Sequence, residues 1–178
     1  MKEVIPLELS DPKVEMIVCV DKNWAIGKDG KLLFHIKEDL QKFKFITEWS
    51  NVIYGRKTLN TFPSKMGLPN RINIILTRDE NMCVDPNIRV AHNIVEAFDH
   101  CNKDLHTFVI GGQNVYEQFL KYVSTIYVTK VNAEIEGANA FFPNLDKIPQ
   151  FKLLKCEKSH NEEFDLVYTQ NLYSYSSL

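Results

Sequence analysis

The stretch Val14-Glu15-Met16-Ile17-Val18-Cys19-Val20 decides how the rest of the chain is read. It is β-rich and almost continuously apolar, the composition of a strand buried on both faces of a sheet. Comparable runs recur at Asn51–Tyr54, Ile72–Thr77, Arg89–Ala91, Thr107–Ile110 and Ile126–Val131, with helical patterns or long loops between most of them. That alternation predicts βαβ units, hence an α/β chain whose mostly parallel sheet carries helices on its faces. The chain ends differently. Phe151–Cys156 and Phe164–Tyr173 flank the polar stretch Glu157–Glu163, and the second run sets Phe164, Leu166 and Tyr168 against Asp165, Val167 and Thr169. These runs predict a C-terminal antiparallel hairpin on the same sheet.

The 178 residues are 44% hydrophobic and 25% charged, with a net charge of -2. A single core at this length buries roughly 70% of the surface exposed by the unfolded chain, so one domain is expected. Residues 1–12 hold two prolines and no sustained period, and they read as a short lead-in. The near balance of 21 Lys+Arg and 23 Asp+Glu removes the basic excess of a nucleic-acid or anionic-membrane binder. No stretch approaches the ~18 apolar residues of a membrane span. Cys19, Cys83, Cys101 and Cys156 are widely spaced, without Cys-x-x-Cys or a close Cys/His grouping. Reduced cytoplasmic thiols and no metal site are expected.

Asp39 is the sharpest anomaly. With Ile36–Thr47 wound as a helix at about 100° per residue, Ile36, Leu40, Phe43, Ile46 and Thr47 share one face, and Asp39 falls between Phe43 and Ile46. A carboxylate there is desolvated, and it is useful only if something hydrogen-bonds it. Taken alone, the feature is better explained by an acid complementing the helix dipole in its first turn, where acids are enriched.

Three strand ends carry groups suited to phosphate. Gly55-Arg56-Lys57-Thr58 follows the second apolar run, Thr77-Arg78 the third, and Gly111-Gly112-Gln113-Asn114-Val115-Tyr116 the fifth. Neither the P-loop spacing nor Gly-x-Gly-x-x-Gly is present. Each feature alone is also explained by a helix cap, a tight turn or a surface arginine. Together they point to a ligand with several phosphates along the carboxyl edge of the sheet, and a dinucleotide has that shape. Arg56, Lys57 and Arg78 offer more charge than a pyrophosphate needs, which points to one extra phosphate.

From about Val14 to Tyr173 the chain resembles the dihydrofolate reductase family. The resemblance is carried by Ala25-Ile26-Gly27-Lys28-Asp29-Gly30-Lys31-Leu32, Glu38-Asp39-Leu40 with Phe43-Lys44, Gly55-Arg56-Lys57-Thr58, Leu68-Pro69-Asn70-Arg71, Ile110-Gly111-Gly112 with Val115-Tyr116-Glu117-Gln118-Phe119, and Phe142-Pro143. It implies a single α/β domain over 13–178, built on a central eight-stranded mostly parallel mixed sheet. It also implies NADPH-dependent reduction of 7,8-dihydrofolate to 5,6,7,8-tetrahydrofolate, in support of one-carbon metabolism. Antifolates such as methotrexate or trimethoprim would be inhibitors, and the protein would be a cytoplasmic monomer.

By the same resemblance, Asp39 would be the acid of the pterin pocket and Thr129 the hydroxyl that supports it. Ile17, Val18, Cys19 and Ile110 would meet the pterin and nicotinamide, and Leu40, Phe43, Phe62 and Leu68 would wall the aminobenzoyl group. Arg71 would take the glutamate α-carboxylate, Arg56, Thr77 and Arg78 the adenosine 2′-phosphate, and Thr58 with Gly112 to Val115 the pyrophosphate. Tyr116 would lie against the nicotinamide. Ile26, Gly27, Gly55, Lys57, Leu76, His92 and Gly111 complete the expected cofactor set. Leu32 would lie in a flexible lid given mobility by Gly27 and Gly30. Leu33-Phe34 stands where much of the family has Pro-Trp, removing an indole N–H that helps hold an ordered water. Gln113-Asn114 replaces a glycine and a basic residue, and Asn139-Ala140 reads as a small insertion. A pyrimidine reductase of the same fold should lack Asp39 and Arg71, and a silent folate-binding protein would not need the retained motifs.

Overall fold

Apolar runs become strands wherever a turn residue or a helix start ends them. The computed structural model describes residues 13–176. In chain order it contains β1 (Val14–Val20), β2 (Ala25–Lys28), β3 (Lys31–Leu32), α1 (Lys37–Thr47), β4 (Asn51–Gly55), α2 (Arg56–Leu59), β5 (Ile72–Leu76), β6 (Ile88–Ala91), α3 (Ile94–Asp99), β7 (Thr107–Gly111), α4 (Gln113–Phe119), β8 (Val123–Val131), β9 (Ala140–Phe141), β10 (Phe151–Asn161) and β11 (Leu166–Tyr175). The lead-in expected over 1–12 lies outside the described residues. Eight strands form one sheet in the order β10-β11-β8-β1-β7-β4-β5-β6. All pairings from β8 to β6 are parallel, and the β10–β11 and β11–β8 pairings are antiparallel. The expected mixed α/β sheet with its terminal hairpin is therefore what forms. The chain leaves β1 for β4 on one side and later returns to β8 on the other, so the carboxyl end of β1 borders the crevice where open α/β sheets take ligands.

β1 itself departs from expectation. Val14, Met16, Val18 and Val20 are buried, while Glu15, Ile17 and Cys19 are only half-buried. The apolar sequence is continuous but the burial alternates, because β1 is fully covered on one face only. That covered face holds the large cluster joining Met16, Val18 and Val20 to Val115, Tyr116 and Phe119 of α4. The α1 face is split. One cluster joins Tyr54, Ile75 and Ile110 with Ile17, Phe43, Phe62 and Leu68. The other joins Ile36, Val131 and Tyr168 with Cys19 and Phe34. Asp39 lies one helical turn from Ile36 and one from Phe43, so it stands where the apolar packing is interrupted.

Two further expectations change. The lid segment is a hairpin: β2 pairs antiparallel with β3 and with β9 in a second, three-stranded sheet. Asp29 and Gly30 both have positive φ, as a tight two-residue hairpin turn requires. Gly27 is not a hinge but a strand residue, whose added Cβ would come within 3.1 Å of Lys31 O. Asn139 staples the turn, accepting from Asp29 N at 3.1 Å and donating to Asp29 Oδ1 at 2.9 Å. At the other end, β10 runs through the supposed connection as far as Asn161, and the turn is 162–165. Residues 152–158 are all exposed on this edge strand, so no apolar alternation marks them; charged side chains there guard the edge against pairing with other chains.

Candidate active site

α1 delivers the acid. Its first turn contains Glu38 and Asp39, but they part: Asp39 meets the central strands, whereas Glu38 Oε2 accepts from Asn161 Nδ2 at the end of β10 at 2.8 Å. Asp39 Oδ1 accepts from the Thr129 hydroxyl at 2.5 Å. Thr129 and Cys19 are paired across β8 and β1. Burial pushes the Asp39 carboxyl above its usual range, with Thr129, Lys42 and Cys19 each pulling it back. A first-turn helix acid needs no such neighbours, so the helix-dipole explanation does not account for this residue. Cys19 is pushed well up by burial and by Asp39, which keeps it a neutral thiol.

Ile17, which lines a small cavity with Asp39, belongs to the cluster in which half-buried Phe43, Phe62 and Leu68 gather with buried Ile110. The Phe62 ring meets Tyr54 edge-on at 5.1 Å. Leu40 and Leu32 are exposed, 44% and 45%, so Leu40 does not join the packed stripe expected of it. Val18 is a correction: its side chain belongs to the opposite core, and only its backbone faces this side. Phe34 packs beside Cys19 and Ile36, replacing a donor with plain apolar surface.

Arg71 lies at the other end of α1. Four hydrogen bonds fix its guanidinium: Nε and Nη2 donate to Thr47 Oγ1 at 3.1 Å each, Nη2 to Lys44 O at 3.1 Å and Nη1 to Pro69 O at 2.6 Å. The expected free fork is thus largely committed to capping the helix, and a bidentate grip on a carboxylate would have to take over some of these donors. The loop that presents Arg71 is held by buried Asn73, which exchanges two 2.8 Å hydrogen bonds with the Leu68 backbone and accepts from Tyr54 Oη at 3.1 Å. Sequence reading missed Asn73, although a polar residue inside Ile72–Leu76 was a usable signal.

Along the carboxyl edge, β4 and β7 end side by side, with Tyr54 paired to Gly111. A Cβ on Gly55 would stand 3.1 Å from Val115 Cγ2, and one on Gly111 would stand 3.2 Å from the Tyr116 ring. The Gly111–Gly112 peptide is cis. Thr58 Oγ1 lies 3.5 Å from where a Gly112 Cβ would be. Tyr116 is buried, donates to Ile17 O at 2.8 Å and packs on Phe142 at 4.8 Å. Burial drives its phenol far above the usual value, so it holds the β1 backbone rather than supplying protons. Farther out, Arg56, Lys57 and Arg78 are exposed, and Arg56 pairs with Asp79 at 3.9 Å. His92 Nδ1 lies 3.1 Å from Thr77 O, which brings these two residues together. Leu76 and Val115 point into the core, leaving only their backbones at the edge. The Gln113 carboxamide accepts from Phe141 N at 2.8 Å and donates to Glu117 at 2.9 Å, so it ties α4 to β9. Exposed Asn114 accepts from Gln118 at 2.6 Å.

Residues 13–175 match the family model described as dihydrofolate reductase. The chain belongs to the dihydrofolate reductase family. It is 37% identical over 158 residues to the dihydrofolate reductase of Staphylococcus haemolyticus, covering 88% of this chain and 93% of that one. It is 33% identical over 165 residues to the Bacillus subtilis dihydrofolate reductase, covering 93% and 92%. That of Neisseria gonorrhoeae is 33% identical over 135 residues, covering 76% and 82%.

Membership in the dihydrofolate reductase family implies a nicotinamide cofactor, and the carboxyl edge fits one. Gly55 and Gly111 make room for Val115 and Tyr116, and the backbone left bare at Gly112, with the Thr58 hydroxyl beside it, suits close approach of a phosphate. The exposed cations at Arg56, Lys57 and Arg78 lie on the same edge. Among the described residues no helix is long and apolar enough to cross a membrane, and no three His, Cys, Asp or Glu side chains form a metal-type group.

Two residues near the acid had no place in the sequence reading. Lys42 Nζ donates to Gln170 Oε1 at 2.6 Å, and both line a small cavity with Asp39 and Thr129. Lys42 is one turn from Asp39 on α1, a spacing visible in sequence; Gln170 carries no such mark.

Proposed function

We propose that the protein reduces 7,8-dihydrofolate to 5,6,7,8-tetrahydrofolate with NADPH. The observation that carries this reading is the Asp39 carboxylate, set between two apolar clusters and fixed by Thr129 at 2.5 Å. A carboxylate in that setting matches a flat heterocycle offering two adjacent N–H donors, such as pterin N3 and its 2-amino group. NADPH, when bound, supplies the hydride that passes from nicotinamide C4 to pterin C6.

The chain's own residues do the rest. Asp39 orients the pterin and biases its tautomer so that N5 takes a proton from water admitted beside the ring. Burial raises its proton affinity toward the working pH, which suits that task. Ile17, Cys19 and Ile110 floor the ring, and Phe34 closes the site with apolar surface in place of a hydrogen-bond donor. Leu40, Phe43, Phe62 and Leu68 wall the aminobenzoyl group, and Arg71 receives the α-carboxylate. Thr58, Gly55 and Gly111 to Val115 cradle the pyrophosphate. Arg56, Lys57, Thr77, Arg78 and His92 meet the 2′-phosphate. Ile26, Gly27, Leu32 and Tyr116 border the nicotinamide. The protein works as a cytoplasmic monomer, and its product feeds one-carbon transfer.

Absorbance at 340 nm should fall when dihydrofolate is added to protein and NADPH, and methotrexate should stop it competitively. Folded protein that binds NADPH tightly but never turns over dihydrofolate would overturn the reading.

A further inference from the structure

Gln170, Thr129 and Cys19 form one row, as successive Cα partners across β11, β8 and β1. Laterally paired residues project to the same face of a sheet. Two residues of α1 meet that row: Asp39 accepts from Thr129, and Lys42 donates to Gln170. Three residues apart on a helix, Asp39 and Lys42 are neighbours on its surface. Lys42 is half-buried, so solvent and salt screen its charge less than that of a surface lysine. Its partner is a neutral amide, which fixes the ammonium without neutralising it. The polar row therefore meets one cation and one anion that line the same small cavity without a direct ion pair, each tied to a different strand.

The other groups facing Asp39 cannot take over this role. Cys19 from β1 stays neutral, Thr129 from β8 is a hydroxyl, and Tyr168 from β11 is a phenol whose proton affinity Asp39 itself helps raise. Glu38 is turned away toward Asn161. Among the residues that line the cavity with Asp39, Lys42 is the one cation.

We propose that Lys42, tethered by Gln170, is a positioning residue that supplies the counter-charge for the Asp39 carboxylate and so sets the pH range of turnover. The proposal rests on the reductase reading for its consequence, but the charge coupling exists in the protein alone. Removing the ammonium leaves burial less opposed, and Asp39 then takes up its proton at higher pH.

The test is carboxyl carbon NMR on protein labelled at aspartate, with the Asp39 resonance identified by its loss in Asp39→Asn. Lys42→Met should move the titration midpoint upward by about one pH unit, the lower end of what a nearby opposite charge produces. Lys42→Arg should restore the wild-type midpoint, and Gln170→Leu should give an intermediate one. The Asp39-dependent limb of the kcat/KM profile should move with these midpoints. Lys42→Gln replaces Lys42→Met if the latter fails to fold. A midpoint unmoved by loss of the ammonium overturns the proposal. Absence of turnover in wild type overturns the reductase reading instead, and the NMR titration still decides the role of Lys42.

Discussion

The Thr129 hydroxyl donates to Asp39 Oδ1 at 2.5 Å, joining the first turn of α1 to β8 across 90 positions of sequence. A hydrogen bond to a charged group contributes about 1.5–3 kcal/mol. Thr129→Val should therefore lower kcat/KM roughly 10- to 100-fold. The same bond holds the Asp39 carboxyl down, so the pH profile of the valine variant should also shift upward. Thr129→Ser should restore both. Steady-state rates across pH check this, and a valine variant indistinguishable from wild type would contradict it.

Asp39→Asn should lose activity and gain stability. Burial raises the native proton affinity of this carboxyl above its unfolded value. The charged form therefore costs stability; the cost is absent below the unfolded value of about 4 and fully present above the raised native value. Thermal melts should show Asp39→Asn more stable than wild type at neutral pH, with the difference closing toward acid. Turnover should fall roughly 10²- to 10⁴-fold, the range associated with acid–base groups.

Arg71 caps α1 and is also the proposed carboxylate receptor. Lysine cannot reproduce its four bonds to Thr47, Lys44 and Pro69. Arg71→Lys should cost about 1–3 kcal/mol in denaturant unfolding. It should also raise KM for dihydrofolate with little change in kcat, the pattern of lost uniform binding. A large fall in kcat with unchanged KM would place Arg71 elsewhere in the reaction.

Gly111 has φ +117°, and its added Cβ would meet the Tyr116 ring at 3.2 Å. Gly111→Ala should destabilise the fold by about 1–3 kcal/mol and weaken NADPH binding. Gly30 provides the contrast: its φ is +78°, but nothing lies within 4 Å of an added Cβ. Gly30→Asn, which tolerates that backbone, should leave the melting temperature nearly unchanged.

Arg56 pairs with Asp79 at 3.9 Å, with both side chains largely exposed. Such a pair contributes about 0–1 kcal/mol to folding, so the arginine can be removed to test ligand binding at little cost to stability. Arg56→Ala combined with Arg78→Ala should weaken NADPH far more than NADH while leaving thermal stability intact. Equal losses for the two cofactors would remove the 2′-phosphate assignment.

Burial and turn chemistry act locally, and so the central strands, the terminal hairpin and the misplaced acid at Asp39 could all be read from order and period along the chain. Glycines at strand ends were legible for the same reason: a bare backbone leaves a mark at its own position. The β2–β3–β9 sheet and the exposed length of β10 were not legible, because short or solvent-facing strands are held by backbone hydrogen bonds to a partner and carry no apolar alternation. Alternating burial in β1 was hidden for a related reason: apart from Glu15 the residues on both faces are apolar, and only the interrupted packing beneath α1 leaves Ile17 and Cys19 partly uncovered. Sequence by itself determined the family, the sheet and the inward-facing position of Asp39 on α1. Only the tertiary structure decided what surrounds that acid, since Thr129, Cys19, Gln170 and Lys42 become neighbours through lateral strand pairing and helix docking, and those long-range contacts set its charge environment.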